Sequence, residues 1–208
     1  MPVDEQVPEA ILDAARACFL ERGIEATTMA AVAEQAGISR VWLYRHVENR
    51  DHLVTAVVRR EAQRFLEGVR ARLEPGRGPV EVVTHAFAHA ICTLRHHDLL
   101  QTALRSEPEK ILPFLTVQAT PMLRAGASAV AVLLEEHAGL DTARARRCAE
   151  WLVRFAASTV LTPDALIDLD DEEELEALVR GVLGPLLEHQ PGPHNPSGEL
   201  RHTEEDER

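Results

Sequence analysis

Residues 28–46 read TMAAVAEQAGISRVWLYRH, and this stretch decides the fold. It has the form of two short helices meeting at a turn. Ala33 and Ala36 are small enough to let the helices approach closely. Gly37 supplies a turn position where a Cβ would be strained. Ile38 plugs the angle between the helices, and Leu43 anchors the second helix to the first. Ser39 is a good N-cap, because its side-chain oxygen can accept an otherwise orphaned backbone N–H. The outward positions are then Arg40, Val41, Trp42, Tyr44, Arg45 and His46. From Gln35 to Val47 there is no acid, and Arg50 adds a third arginine to Arg40 and Arg45. This is a helix-turn-helix with a basic outer face.

Working outward, helical periods continue in both directions. Before the motif, Ile11, Ala15, Cys18 and Phe19 form an i, i+4, i+7, i+8 stripe. That helix starts near Pro8 and ends at Arg22, with Gly23 as a left-handed stop. After the motif, Asn49 caps a helix from Arg50 to about Leu73, and residues 74–79, EPGRGP, form a linker. The remainder reads as helices at 80–97, 98–104, 108–115, 141–161 and from the acidic run 168–176 to about Glu188. Between them, 116–137 contains Pro121, which starts that helix or kinks it. Convincing strand alternation is absent. The expected fold class is all-α: a three-helix helix-turn-helix unit over 1–50 and a helical unit over 51–189. The polar Pro-, Gly- and Glu-rich tail, 190–208, is expected to be disordered.

The chain of 208 residues carries a formal charge of −12, with 34 acids against 22 bases, and Lys110 is the only lysine. Bulk charge argues against nucleic-acid binding. The distribution reverses that inference. Seven acids fall in 168–176 and five after Gln190, whereas Ser39 to Arg50 holds three Arg and one Glu. Phosphate contacts from that face would come from Arg, Tyr, His, Thr or backbone groups. Three separated cysteines, Cys18, Cys92 and Cys148, argue against a disulfide framework and fit a reducing cytoplasm. The longest apolar stretch, Ala125 to Leu134, is too short to span a bilayer, so no membrane partner is expected. No phosphate loop, nucleophile elbow or HExxH motif points to an enzyme, and no cofactor is expected.

Residues 11–53, ILDAARACFLERGIEATTMAAVAEQAGISRVWLYRHVENRDHL, resemble the N-terminal domain of the TetR family of transcriptional regulators. The resemblance rests on the Gly that ends the first helix, the Thr opening the second, the AEQAGIS turn, the LYRH helix and the capped start of helix four. It implies a DNA-binding set of Thr28, Ser39, Arg40, Val41, Trp42, Tyr44, Arg45, His46 and Arg50. Tyr44, His46 and Arg50 match positions facing phosphates, with Arg50 where the family usually has Lys. Thr28 would point its hydroxyl at the DNA backbone. Arg40, Val41 and Trp42 match positions that read base edges, where an Arg can donate two hydrogen bonds to guanine. Two residues depart from the pattern: Trp42 replaces a small Thr, and Val47 replaces Phe. Trp42 alternatively packs against the start of helix four.

The resemblance also implies a cytoplasmic homodimer on a palindromic operator. It acts as a repressor released by a small-molecule effector, apolar or amphipathic by default. The dimer face would use Cys148 and Leu152 with Leu175, Leu178, Val179, Val182 and Leu186, and Gly181 and Gly184 would admit a close helix. A purely intramolecular core is the alternative. Phe65, Phe87, Leu115, Met122, Trp151 and Phe155 are candidate pocket residues, joined by His85 and His89. On helix 80–97, Glu81, His85, His89, Cys92 and His96 fall within an arc of roughly 80°. That stripe faces solvent, a ligand cavity or a metal. The metal reading makes the protein a metal- or redox-responsive regulator using His85, His89 and Cys92, and it requires a ligand from another helix.

Overall fold

The structure, a computed structural model, describes residues 7–73, 78–162 and 168–188. The predicted linker falls mostly, and the predicted disordered tail wholly, outside the described residues. Within them the chain forms ten helices: α1 (Glu9–Arg22), α2 (Met29–Gln35), α3 (Arg40–His46), α4 (Arg50–Arg70), α5 (Pro79–Arg95), α6 (Asp98–Ser106), α7 (Pro108–Leu115), α8 (Thr120–Ala138), α9 (Thr142–Leu161) and α10 (Glu172–Glu188).

The short helices are set by their ends. Thr28, Ser39 and Asn49 accept the N–H groups of Ala31, Trp42 and His52 and so start α2, α3 and α4. Gly37 turns the chain between α2 and α3 at φ +65°, where side chains with a Cβ are strained. Gly23 ends α1 at φ +86° and ψ 163°, a positive-φ conformation outside the expected left-handed helical region. Pro121 sits in the first turn of α8, which starts at Thr120. That settles the start-or-kink alternative as a start.

Among the described residues two large cores are bridged by a small cluster of Leu73, Val82 and Ala86. The first is built from Ile11, Leu12, Ala15, Cys18 and Phe19 of α1, Val32 and Ala33 of α2, Leu43 of α3, Val47, and Leu53, Ala56 and Val57 of α4. It also takes in Leu99 of α6. The first packing unit therefore extends past residue 50 and recruits a helix 50 residues downstream. The second core is centred on α5, whose Val83, Phe87, Ala88 and Ile91 meet α8, α9 and α10. Val47 is wholly buried, so the smaller side chain in place of Phe still seals the base of α3.

Candidate DNA-binding surface

Helix α3 lies with Leu43 buried beneath it and its opposite face in solvent. Val41 is 68% exposed, Tyr44 52% and Trp42 38%, with Arg40 and Arg45 exposed beside them. Trp42 meets a ring of its own helix. Its ring contact is with His46, at 4.4 Å between centroids and 53° between planes. His46 is half-buried, and its Nδ1 has no hydrogen-bond partner. Thr28 and Ser39 stand exposed at the helix starts, with their side-chain oxygens already accepting from Ala31 and Trp42 at 3.1 Å each.

Arg50 departs from its expected place. Its Nη2 donates to the Ile24 carbonyl at 2.6 Å and pairs with Glu25 at 3.1 Å. The guanidinium is thus turned onto the α1–α2 turn, not outward to a phosphate. The physical reason is that the Ile24 carbonyl lacks a helical partner and lies within reach of the first turn of α4.

The charges that join α4 to its neighbours were not singled out from the sequence. Arg60, only 5% exposed, donates to Asp13 at 2.7 Å, Glu9 at 3.1 Å and the Leu12 carbonyl at 3.3 Å. Glu61 receives Arg16 of α1 at 3.0 Å and stands 3.4 Å from His97 at the start of α6. A signal existed. Glu9 and Asp13 are one helical turn apart on α1, and Arg60 and Arg64 are one turn apart on α4, so opposite charges line facing rows. Arg16 also binds Asp98. Burial would raise the Asp98 carboxyl, but hydrogen bonds from Arg16 and the Leu99 N–H outweigh it and hold the pKa below the usual value.

In the second core the polar stripe of α5 faces the chain itself. His85 Nδ1 lies 2.7 Å from Glu176 of α10, and Cys92 Sγ approaches the Leu169 carbonyl at 3.7 Å. His89 lies 3.4 Å from Thr93, while Glu81 and His96 are exposed. Burial pushes the Cys92 thiol up, helped by Glu172 and Asp170, which opposes the thiolate that metal binding and redox chemistry need. Burial and then Arg72 push His89 down. Among the described residues no group of three or more His, Cys, Asp or Glu side chains is placed to hold a metal ion. Among the described residues, the further ligand from another helix that the metal or redox reading of His85, His89 and Cys92 required is not supplied.

The pocket candidates stand in different surroundings. Phe87 packs on Phe155 at 6.1 Å, and Trp151 stacks on Phe155 at 5.1 Å. These three rings fill the space between α5 and α9. Phe65 is half-buried on α4, and Met122 is exposed. Leu115 borders a hollow of about 280 Å³, shared with Thr116, Ala119, Leu123, Arg154, Ala157, Ser158, Leu161 and Thr162. A second hollow of about 570 Å³ lies between the start of α5 and α10 and is lined by Val80, Glu81, Arg180, Gly181 and Gly184.

The proposed dimer stripe is split. Cys148, Leu152, Leu175 and Val179 are buried in the chain's own second core and cannot form an outer face. Leu178 is half-buried and Val182 is exposed, whereas the Leu186 side chain lies outside the described residues. A Cβ at Gly181 or Gly184 would meet nothing within 4 Å, so among the described residues none closes on α10 there. Among the described residues no helix is long and apolar enough to cross a membrane.

Residues 11–57 match the family model of bacterial regulatory proteins of the tetR family. The chain is 29% identical over 181 residues to the transcriptional activator FasR of Mycolicibacterium smegmatis, covering 84% of this chain and 80% of that protein. It is 34% identical over 96 residues to the transcriptional repressor AcnR of Corynebacterium diphtheriae, 46% of each chain. The crystal structure of the TetR family repressor AlkX from Dietzia sp. superposes with a TM-score of 0.65 at 23% identity, covering 86% of this chain and 96% of that one. The exposed face of α3, the sequence matches and the shared helical architecture converge: residues 11–57 match the DNA-binding domain of the tetR family of bacterial regulatory proteins, and the described chain shares the helical fold of a TetR family repressor.

Proposed function

We propose that the protein is a ligand-responsive repressor that binds a palindromic DNA operator as a homodimer. The observation that carries this is the acid-free outer face of α3. Arg40, Val41, Trp42, Tyr44 and Arg45 project from a helix whose inner side is sealed by Leu43. A helix with that face fits the major groove, where Arg reads guanine and Val meets a thymine methyl. Thr28, Ser39, Tyr44 and His46 supply phosphate contacts. Two copies place their recognition helices about 34–36 Å apart, one turn of DNA. Because the buried part of the α10 stripe is committed to the chain's own core, the dimer face uses the outward side of α10 around Val182, continued by Leu178.

Residues 1–50 supply the DNA contacts, and 51–189 regulate them. The effector is a small apolar or amphipathic molecule. The hollow at the α7–α8 bend supports this reading, with Leu115, Leu123 and Leu161 beside Arg154 and Ser158. An effector lowers DNA affinity only if it binds the released state better. Operator selection from random duplexes, followed by binding to the selected site, tests the proposal. Operator binding should weaken and preference at one base pair relax in Arg40→Ala with the fold retained; unchanged selection of sequences by that variant overturns the assignment of this face. A reporter driven by the selected site then separates repression from activation.

A further inference from the structure

We infer that Glu107, in the regulatory half of the chain, is a positioning residue for the recognition helix, acting through the turn between α1 and α2. This rests on the DNA-binding reading of α3. Glu107 is the bend residue between α6 and α7, held by Pro108 in the first turn of α7. It is 9% exposed. Its Oε1 accepts the Glu25 N–H at 2.9 Å, 82 residues away in sequence.

The turn that it reaches is held from three sides. Glu107 takes the N–H of Glu25, Arg50 donates to the carbonyl of Ile24, and Thr27 donates to the carbonyl of Gly23 at 2.7 Å. The fit of Glu107 is close. A Cβ on residue 23 would lie 2.7 Å from Glu107 Oε1, and Gly23 also has φ +86°. A Cβ there would push the carboxylate aside, and only glycine adopts that backbone without strain.

The turn matters because α2 hangs from it. Thr28 starts α2 three residues after Glu25, and α2 carries α3 through Gly37. A change in the turn therefore re-aims the whole helix-turn-helix. The Glu25 N–H is part-buried, so removing the acceptor leaves a donor with poor access to water, which is costly. Two independent elements, the start of α4 and the α6–α7 bend, thus set the angle at which α3 is presented.

The test compares Glu107→Ala, Glu107→Gln and Gly23→Ala in the full chain. It reads amide hydrogen exchange at Glu25 and affinity for the selected operator per active molecule. In Glu107→Ala, exchange at Glu25 should rise about tenfold and operator affinity fall about tenfold, each the equivalent of one lost hydrogen bond to a charged group. Its salt slope should stay at the wild-type value, because no phosphate contact is removed. Glu107→Gln keeps an acceptor oxygen and should restore most of both. Gly23→Ala should mimic the loss, and the double variant should lose less than the sum of the singles, because truncating Glu107 relieves the clash. Wild-type exchange at Glu25 in Glu107→Ala overturns the inference. So does faster exchange with unchanged operator affinity, which makes the contact merely structural. Failure of the DNA-binding reading is distinct: the wild-type protein then selects no sequence at all.

Discussion

The two halves of the molecule are built by different means. In the first, α2 and α3 have seven residues each, and a helix that short is not stable alone. Side-chain caps start them, and charged clamps from α4 and the α6–α7 bend hold the turn before them. In the second, α5, α8, α9 and α10 have 17 to 20 residues and rely on buried apolar faces. The difference shows where precision is needed. A reading helix must be aimed, and directional hydrogen bonds aim better than apolar contact. The regulation proposed for the second half would draw on apolar packing, which is less directional.

The comparison can be broken at its strongest point by deleting one core ring in each half. Phe19→Ala and Phe87→Ala should each cost about 3–5 kcal/mol in chemical unfolding. Because Leu99 of α6 belongs to the first core, both variants should unfold in one transition; two separate transitions would show that the halves are independent. The next largest effect concerns recognition. Arg40→Ala should weaken operator binding by about 1–3 kcal/mol and relax preference at one base pair. By contrast, Arg50→Ala should leave the salt slope unchanged, because its guanidinium binds Ile24 and Glu25. A slope reduced by one phosphate contact would return Arg50 to the DNA.

Smaller effects sharpen the contrast between caps and burial. Ser39→Ala should lower stability by about 1 kcal/mol and weaken operator binding, since α3 has little else to hold its first turn. Asp141→Ala removes the matching cap of α9, where Arg144 N–H donates at 3.0 Å, but the buried face of that helix should leave operator binding untouched. Measuring both variants by melting and by binding checks the pair.

The smallest effects follow pH. Asp170 is held below its usual pKa chiefly by the hydrogen bond from Arg95, at 2.8 Å. A depressed carboxyl stabilises the fold above its unfolded pKa and loses that contribution as pH falls through the folded value. Asp170→Asn should therefore flatten the loss of melting temperature below about pH 4. His89 has the opposite history: burial lowers its pKa, so the unfolded chain takes up the proton first as pH falls below about 6.5. Between pH 7.5 and 5.5 the wild-type protein should lose more stability than His89→Gln. Equal losses would mean that His89 titrates as it does in water.

Much of the molecule is legible in its residues. The helical class, the Gly37 turn, the caps at Ser39 and Asn49 and the outward side of α3 all follow from groups within four positions of one another. So does the acidic run: Asp171 accepts the N–H groups of Glu173 and Glu174 and starts α10. What misled was everything that needs a distant partner. The stripe on α10 is wide enough for two neighbours, and periodicity does not say that Leu175 and Val179 take α5 while Val182 stays outside. The polar arc of α5 has one helical spacing whether it meets solvent, a metal or Glu176. Arg50 has the right position for a phosphate, yet the open carbonyl of Ile24 lies nearer.

The sequence by itself determined where helices begin and end and which face of α3 looks outward, because caps, turns and amphipathic periods are local. Only the tertiary structure decided which apolar stripe becomes core, which arginine turns inward, and that a glutamate 82 residues away closes on the Glu25 amide beside a glycine. Those outcomes depend on which surfaces meet. One-dimensional spacing carries no term for a contact between residues whose separation along the chain says nothing about their distance in space.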